Sequence, residues 1–214
     1  MAYFITIEGG DGAGKSTLLK LIEDHFRRLK LPFLLTREPG GTLASEEIRD
    51  ILLRDRPDPS QKLTPLTELF LYEAARAQHV EERIRPALNS GTHVLCDRFT
   101  DSTLAYQGYG RAVGTSLVDQ LNQIATRGLK PDAVIWLKVA PEVARMRIEQ
   151  RSGKKSWIDE EDASFHEAVF NGFIELSRKN SDRYIVLDGS CTPQEIFAQL
   201  TATPLWLRLF GGRA

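Results

Sequence analysis

A glycine-rich segment near the N-terminus holds the residues with the clearest chemistry. Gly9, Gly14, Lys15 and Ser16 fit the P-loop pattern G-x-x-x-x-G-K-[ST], which a chain of this length matches by chance about 1% of the time. Its glycines let backbone N–H groups converge on phosphate oxygens, its lysine reaches the β and γ phosphates, and its hydroxyl suits Mg²⁺. A tight turn with a solvated lysine is the weaker interpretation. The predicted triphosphate-binding residues are Gly9, Gly10, Asp11, Gly12, Ala13, Gly14, Lys15, Ser16 and Thr17.

A carboxylate at the end of a second apolar run complements this loop. Asp97 follows Val94, Leu95 and Cys96, and this position has the Walker B character of a carboxylate that supports Mg²⁺. An ordinary strand-end aspartate in a turn would be the better interpretation without the P-loop. With the P-loop present, Ser16 and Asp97 are the predicted metal ligands.

Two arginines follow predicted strands close to the expected phosphates. Arg37 ends one apolar run, and Arg98 comes directly after Asp97. A planar guanidinium offers forked donors that match phosphate oxygens, so each arginine is a candidate for holding an acceptor phosphate. For either one alone, a surface salt bridge, for instance between Arg37 and Glu38, is an equally good interpretation.

A predicted helix after residue 64 carries further candidates. Phe70 shares a helical stripe with Leu66 and Leu69, so core packing is its default interpretation unless a planar ligand binds there. Arg76 lies six residues further along, and the two side chains are predicted to flank one opening. His79 has no second ligand at metal spacing.

Five short apolar runs must position these residues. They lie before Gly9 and at residues 33–35, 93–97, 133–139 and 184–187, separated by segments of helical periodicity. Because the runs are mostly non-alternating, they predict an α/β fold with a parallel sheet covered by helices on both faces. Ligands bind such sheets beyond the carboxyl ends of the strands. The P-loop, Arg37 and the pair Asp97–Arg98 are therefore expected to converge on one crevice.

The composition is that of a globular protein without a nucleic-acid or membrane partner. The 214 residues are 42% hydrophobic and 27% charged, with a formal net charge of −1 and no lysine or arginine block. Cys96 and Cys191 form neither a metal-ligand spacing nor a disulfide framework. No apolar run approaches the ~20 residues that span a bilayer, and the early first strand leaves no room for a signal peptide. These features predict a cytoplasmic protein.

The predicted domain organisation is a single domain over residues 1–214. The tail, residues 202–214, has leucines at alternate positions, namely Leu205, Leu207 and Leu209. The pattern is compatible with packing on the body of the protein or on a neighbour, and its role stays open.

Three longer motifs are similar to those of the bacterial thymidylate kinases. They add to the P-loop, in the family's order and spacing, and the resemblance runs from Phe4 to about Phe197. The motifs are Thr36-Arg37-Glu38-Pro39-Gly40-Gly41-Thr42, then Phe70 with Ala74-Ala75-Arg76-Ala77-Gln78-His79, and Asp97-Arg98-Phe99-x-x-Ser102-x-x-Ala105-Tyr106-Gln107-Gly108-x-Gly110-Arg111.

The resemblance implies an activity and a fold. The reaction would be ATP + dTMP → ADP + dTDP with Mg²⁺, in dTTP biosynthesis, carried out by a homodimer. The fold would be the three-layer P-loop nucleoside monophosphate kinase fold with a lid, and its five-stranded parallel sheet would have the order 2-3-1-4-5.

The resemblance also implies roles in dTMP binding. Arg37 and Arg98 would hold the phosphate, Phe70 would stack on thymine, and Tyr106 would crowd the sugar 2′ position and disfavour ribose. Asp11 would contact the sugar 3′-OH and the magnesium region. The full implied set is Asp11, Arg37, Phe70, Arg76, Arg98, Ser102, Thr103, Tyr106 and Gln107.

The lid, at about residues 147–158, departs from the family pattern. The P-loop has no arginine between Gly9 and Gly14, which in this family goes with catalytic arginines in the lid. Arg147 and Arg151 match the lid-flanking arginines, the first for ATP and the second for catalysis. The implied catalytic residues are Lys15, Arg98 and Arg151.

One expected lid arginine is absent, because the family's Asp-Arg before the next helix is Ser156-Trp157 here. Arg151, Lys154 or Lys155 must therefore neutralise the transferring phosphoryl group. The ammonium group of lysine is a point charge, whereas the guanidinium of arginine presents a planar fork of donors. Replacing arginine by lysine therefore changes how the phosphoryl group is held.

Two other functions are alternatives to that of a thymidylate kinase. A deoxynucleoside kinase would use the same fold, but its acceptor has no phosphate for Arg37 and Arg98 to hold. A nucleotide-dependent switch would need no acceptor site, which leaves the segments around Arg37, Phe70 and Tyr106 unexplained.

Overall fold

Five parallel strands form the central sheet, and the functional segments lie at its carboxyl edge. The computed structural model describes residues 1–150 and 157–211. The strands are β1 Phe4–Glu8, β2 Phe33–Arg37, β3 His93–Asp97, β4 Ala133–Lys138 and β5 Tyr184–Asp188. All pairs are parallel, in the order β2-β3-β1-β4-β5. The predicted α/β fold with a 2-3-1-4-5 sheet is confirmed, and the single-domain assignment of 1–214 stays a prediction.

Helices cover both faces of this sheet. They are α1 Lys15–Arg28, α2 Leu43–Leu53, α3 Pro65–His79, α4 Arg85–Asn89, α5 Thr100–Thr103, α6 Thr115–Thr126, α7 Pro141–Gln150, α8 Ala163–Lys179, α9 Pro193–Ala202 and α10 Pro204–Phe210. In the described part of the chain, every helix is too short or too polar to cross a membrane.

Strand β4 explains why the apolar runs do not alternate. Ile135 and Leu137 pack in one hydrophobic cluster with α1, while Val134 and Trp136 pack in a second cluster with α8. Successive side chains of a strand point to opposite faces, so a strand buried on both faces is apolar at every position. The hydrophobic core is therefore divided into layers above and below the sheet.

Threonine side chains cap the N-termini of α2 and α3. The Thr42 hydroxyl accepts the Ser45 N–H at the start of α2, and the Thr64 hydroxyl accepts the Thr67 N–H at the start of α3. Pro65 takes the first helical position, where its missing N–H costs nothing.

Two helices, α3 and α5, continue into π-helical stretches instead of ending or staying α-helical. The five-residue π-helical stretch Val80–Ile84 joins α3 to α4 without a break, and a second π-helical stretch, Leu104–Gly110, continues α5. Pro86 follows the first stretch, and its ring crowds the carbonyl four residues earlier in a regular helix. A wider turn before Pro86 relieves that contact.

The tail packs on the body of the protein as a helix. Trp206, Leu209 and Phe210 of α10 are buried, whereas Leu207 is half exposed. This spacing of three and four residues is that of a helix, so the alternating leucines do not form a strand. The Phe210 ring lies 4.9 Å from the ring of Phe26 on α1, and the tail therefore completes the core at the amino edge of the sheet.

Truncation of this contact has a predictable cost. Phe210→Ala is expected to lower the free energy of unfolding by about 3–5 kcal/mol, because a buried aromatic ring is replaced by a cavity. Leu207→Ala, in the exposed position of the same helix, should change it by less than about 0.5 kcal/mol. Urea denaturation followed by circular dichroism measures both, and equal losses in the two variants would contradict the packing of α10 described above.

Candidate active site

The predicted crevice is a cavity of about 400 Å³ at the carboxyl ends of β1, β2 and β3. Its floor comes from the segments that follow these strands, and its sides come from α2, α3 and the helix that begins at α5. The lining residues are Asp11, Glu38, Pro39, Arg49, Leu53, Tyr72, Arg76, Arg98, Phe99, Ser102, Thr103, Tyr106, Gln107, Ile158 and Asp159. Segments distant in the sequence therefore meet here, among them Asp11 of the P-loop, Glu38 and Arg98, whereas Arg37 and Asp97 are not among the lining residues.

The P-loop is packed too closely for side chains at two of its glycines. Gly9 has a φ of 140°, and a Cβ there would lie 2.9 Å from the carbonyl oxygen of Leu137. At Gly12, with a φ of 77°, a Cβ would lie 2.5 Å from the carbonyl oxygen of Ala144 on α7. The loop leads directly into α1, and the N–H groups at the start of a helix favour an anion.

Lys15 reaches back over this loop. Its buried Nζ donates to the carbonyls of Gly9 at 3.1 Å and of Gly10 at 3.0 Å. Burial lowers the pKa of the Lys15 ammonium, and the positive charge of Arg98 lowers it further. The amine is therefore held at the centre of the loop, where a phosphate group would lie.

A protonatable carboxyl group lies beneath the loop at the end of β1. Glu8 is fully buried and accepts the backbone N–H of Phe99 at 2.9 Å and the hydroxyl of Ser102 at 2.5 Å. Burial, and secondly the nearby Asp101, raises the pKa of Glu8 to about 8. Burial thus favours the neutral, protonated form of the Glu8 carboxyl group beneath the phosphate site.

Arg98 joins the P-loop to the acceptor side of the cavity. Its guanidinium donates to the Gly9 carbonyl at 3.0 Å, to the Asp11 carboxylate at 2.9 Å and to the Ser102 hydroxyl at 3.2 Å. It also lies 5.1 Å from the centre of the Tyr106 ring. The backbone of Arg98 has a φ of 70°, which is uncommon for a residue with a side chain and frequent at functional sites.

Arg76 lines the cavity from within a buried polar network. It donates to Glu38 through Nε at 2.8 Å and to Glu73 through Nη1 at 2.8 Å. The same guanidinium donates to Asn122 at 2.7 Å and to the Thr103 hydroxyl at 2.9 Å. These four bonds fix the orientation of the guanidinium against the cavity wall.

Phe70 is not brought to the cavity. Its ring is 52% exposed, and the aromatic residue of α3 that lines the cavity is Tyr72. Residues six apart lie about 120° apart around a helix, whereas residues four apart lie about 40° apart. Tyr72 therefore shares a helix face with Arg76, and Phe70 does not. The periodicity of α3 alone was sufficient to identify Tyr72.

Arg37 is likewise not among the cavity residues, and Arg49 is. β2 is an edge strand, and the exposed Arg37 guanidinium turns to Glu46 on α2, at 2.8 Å. Arg49, one helical turn further along α2, lines the cavity and donates to the Pro39 carbonyl at 2.8 Å. Burial and the positive charge of Arg37 lower the pKa of Arg49. The sequence alone does not single out Arg49, because the segment that forms α2 contains no recognisable motif.

The remaining predicted acceptor residues do meet at the cavity. Ser102, Thr103, Tyr106 and Gln107 come from α5 and the π-helical stretch after it. The Gln107 amide donates to Glu68 at 2.6 Å, which fixes the side chain of Gln107. Together with Asp11 and Arg98 these residues form one continuous wall.

The two predicted metal ligands lie near Lys15, since Ser16 follows it in α1 and the charge of Asp97 acts on its ammonium. Ser16 is exposed in the first turn of α1, and Asp97 ends β3. The Oδ1 atom of Asp97 is buried and has no hydrogen-bond partner within the described residues. An orphaned carboxylate oxygen at this point suits a cation bound from the crevice.

Part of the predicted lid lies outside the described residues, including Arg151, Lys154 and Lys155. Arg147 is described, and it donates to the carbonyl of Gly189 at 2.9 Å. Gly189 follows β5 and lies next to the P-loop. A Cβ atom built on Gly189 would be 3.4 Å from the carbonyl oxygen of Ala13. Arg147 is therefore on the P-loop side of the site.

Comparisons with known proteins agree with this geometry. A family model described as thymidylate kinase matches residues 7–200. Thymidylate kinase of Lactobacillus helveticus is 46% identical over 204 residues, which cover 94% of each chain. Thymidylate kinase of Pelobacter propionicus is 45% identical over 214 residues, covering 98% of this chain and 96% of the relative.

A solved structure extends the likeness to three dimensions. The crystal structure of thymidylate kinase from Ehrlichia chaffeensis superposes with a TM-score of 0.74 at 34% identity, covering 94% of this chain and 98% of the other. The match of family model, sequence and fold over nearly the whole length leaves one assignment, and the chain belongs to the thymidylate kinase family.

Proposed function

We propose that this protein transfers the γ-phosphoryl group of ATP to dTMP, giving ADP and dTDP for dTTP synthesis. The observation that carries the proposal is the position of Arg98, whose guanidinium contacts both the P-loop and the wall of a cavity large enough for a nucleotide. An arginine at this junction can hold the acceptor phosphate next to the triphosphate.

The P-loop is the proposed donor site. The N–H groups of the loop and of the first turn of α1 would bind the ATP phosphates, and Lys15 would exchange its two carbonyl partners for phosphate oxygens. Arg147 would approach ATP from α7. The proposed ATP-binding residues are otherwise those of residues 9–17.

The cavity is the proposed acceptor site. Tyr72 lines the cavity and would stack on thymine, the role that the family resemblance implies for Phe70. Arg49 would join Arg98 as the phosphate clamp in place of Arg37. Arg76, Ser102, Thr103 and Gln107 would face the base. Tyr106, beside Arg98, would leave no room for a ribose 2′-OH.

The proposed chemistry is direct transfer between the two nucleotides. An oxygen of the dTMP phosphate forms a bond to the γ-phosphorus as the bond from that phosphorus to the β–γ bridging oxygen breaks, and ADP leaves. Such transfer requires positioning and charge neutralisation more than a covalent catalyst. Lys15 and Arg98 supply positive charge, and the raised pKa of Glu8 reduces the opposing negative charge beneath them.

Mg²⁺ is the proposed cofactor, bound with ATP. Among the described residues no cluster of three or more His, Cys, Asp or Glu side chains can hold a metal, which fits an ion bound mainly by phosphates and waters with one or two protein ligands. The Ser16 hydroxyl and the orphaned Asp97 oxygen would hold it, and when bound it would neutralise charge on the β and γ phosphates.

The lid is proposed to supply the remaining catalytic charge. Arg151, Lys154 and Lys155 lie within residues 147–158, and single-turnover rates of their alanine variants would identify the one that serves the phosphoryl group.

A cytoplasmic location is proposed on the ground that Cys96 and Cys191 are both free thiols.

A homodimer is proposed from an exposed apolar surface. Eleven large hydrophobic residues are exposed in the part of the chain that the structure describes, and six of them lie on three helices that pack side by side, α2, α3 and α6. They are Leu43, Ile51, Leu66, Phe70, Leu117 and Ile124. Such a concentration marks an interface, and it accounts for the outward direction of Phe70.

A panel of acceptors tests the function. With ATP and Mg²⁺, ADP release should be fastest with dTMP, slower with dUMP and dCMP, and slowest with UMP because of the extra hydroxyl group beside Tyr106. Thymidine turnover without dTMP turnover would indicate a deoxynucleoside kinase instead. ADP release that does not depend on any acceptor would indicate a nucleotide-dependent switch.

The phosphate clamp is tested by three alanine variants. Arg98→Ala and Arg49→Ala should each reduce kcat/KM for dTMP by an amount equivalent to about 2 kcal/mol or more, because a charge-assisted phosphate contact is lost. Arg37→Ala serves as the matched control and should cost less than about 0.5 kcal/mol, as an exposed ion pair does. A large loss for Arg37 with none for Arg49 would restore Arg37 as the phosphate ligand.

Light scattering after size exclusion tests the dimer. The wild-type protein should have twice the mass of one chain, and Ile124→Glu and Phe70→Glu should shift it towards one, since each places a charge in the apolar interface. Leu207→Glu, an equally exposed apolar position on α10, should stay dimeric. A monomeric wild-type protein would refute the proposed dimer.

A further inference from the structure

One side of the acceptor cavity is formed by a turn and not by a helix or strand. Ile158 and Asp159 line the cavity, and they follow directly on Trp157. The helix α2 contributes Arg49 and Leu53 to the same lining. A turn has no backbone ladder to fix it, so the position of this wall depends on side-chain contacts.

The indole of Trp157 joins this turn to α2. Its Nε1–H donates to the carbonyl oxygen of Leu52 at 2.9 Å. Leu52 lies in the last turn of α2, where helix carbonyls have no intrahelical partner. Leu52 itself is fully buried, and the next residue, Leu53, is part of the cavity lining. The bond therefore ties two sides of the cavity together.

The guanidinium of Arg111 lies over the ring of the same indole. Its guanidinium lies 5.2 Å from the centre of the Trp157 ring and 4.6 Å from that of Phe165, within the range of cation–π attraction. Ion pairs to Glu161 at 2.7 Å and to Glu68 at 3.5 Å orient it. Trp157 is thus clamped by a hydrogen bond at its edge and a fixed cation at its face.

These contacts continue into the cavity wall. Glu68, one partner of Arg111, accepts the amide of Gln107 at 2.6 Å, and Gln107 lines the cavity. A continuous series of contacts therefore runs from Trp157 through Arg111 and Glu68 to a residue that faces the proposed base. Trp157 makes no contribution of charge, so its effect must be on position.

We propose that Trp157 is a positioning residue for the acceptor nucleotide, holding Ile158 and Asp159 as the wall that completes the dTMP cavity. The inference rests on the proposed function, because the occupant of the cavity is taken to be dTMP. It assigns Trp157 a role in acceptor affinity that is separate from ATP binding, since the P-loop makes no contact in this series.

Steady-state kinetics and equilibrium binding of dTMP test the role. Trp157→Ala should raise both KM and Kd for dTMP about tenfold, the effect of one lost hydrogen bond and one cation–π contact, with KM for ATP changed less than about twofold. Trp157→Phe keeps a ring against Arg111 and loses the N–H, so about a threefold increase is expected. Leu207→Ala, a surface truncation on α10, is the control and should change neither constant.

A purely structural role predicts a different result. It would lower the melting temperature of Trp157→Ala while the Kd for dTMP stayed at the wild-type value, and this outcome would overturn the inference. If Trp157→Ala does not fold, Trp157→Phe carries the test, and an unchanged Kd there overturns it as well. Absence of dTMP turnover in the wild-type protein would refute the proposed function and not this inference alone.

Fluorescence gives a second readout that needs no turnover. Trp136 and Trp206 are both 2% exposed, whereas Trp157 is partly accessible beside the cavity. Subtracting the emission of Trp157→Phe from that of the wild type isolates Trp157. Addition of dTMP should change this difference spectrum, and addition of ATP alone should not. A difference spectrum that does not respond to dTMP would overturn the proposed position of the indole.

Discussion

The contact between Arg98 and the P-loop is the constraint on which the site depends. Phosphate groups of donor and acceptor repel one another, so they can approach only where cations are already in place. Arg98 meets this requirement because a left-handed backbone conformation turns its guanidinium back to Gly9 and Asp11. The order β2-β3-β1 makes the contact possible, since it sets the end of β3 beside the end of β1.

The buried network around Arg76 serves the same site by a different route. A guanidinium with no partner inside a protein is strongly unfavourable, and here Glu38, Glu73, Asn122 and Thr103 share it. Each comes from a different part of the chain, so the network fixes the segments after β2 and β3 relative to α3 and α6. On this side the cavity is held by buried ion pairs and hydrogen bonds, whereas on the other it is held by the contacts of Trp157.

Much of this organisation could be predicted from the sequence, and the exceptions have physical reasons. A P-loop has a local pattern, and apolar runs buried on two faces identify parallel strands, so both were located correctly. Tyr72 could have been preferred to Phe70 from the helical periodicity of α3 alone. The choice of Arg49 over Arg37 as a cavity residue required knowing that β2 lies at the edge of the sheet and where α2 packs. Such facts depend on tertiary packing. The packing of the tail was undecided for the same reason.

The packing of α10 also affects the order in which the protein can fold. Tyr3, just before β1, lies 5.6 Å from Phe210 between ring centres, so this contact joins two parts of the chain that are far apart in the sequence. Contacts between distant parts of a chain form slowly, because a long loop must close first. While the protein is made on a ribosome, β1 and α1 leave an apolar surface uncovered until α10 has emerged. Exposed apolar surface of this kind favours aggregation, so the docking of α10 also protects β1 and α1 from association with other chains.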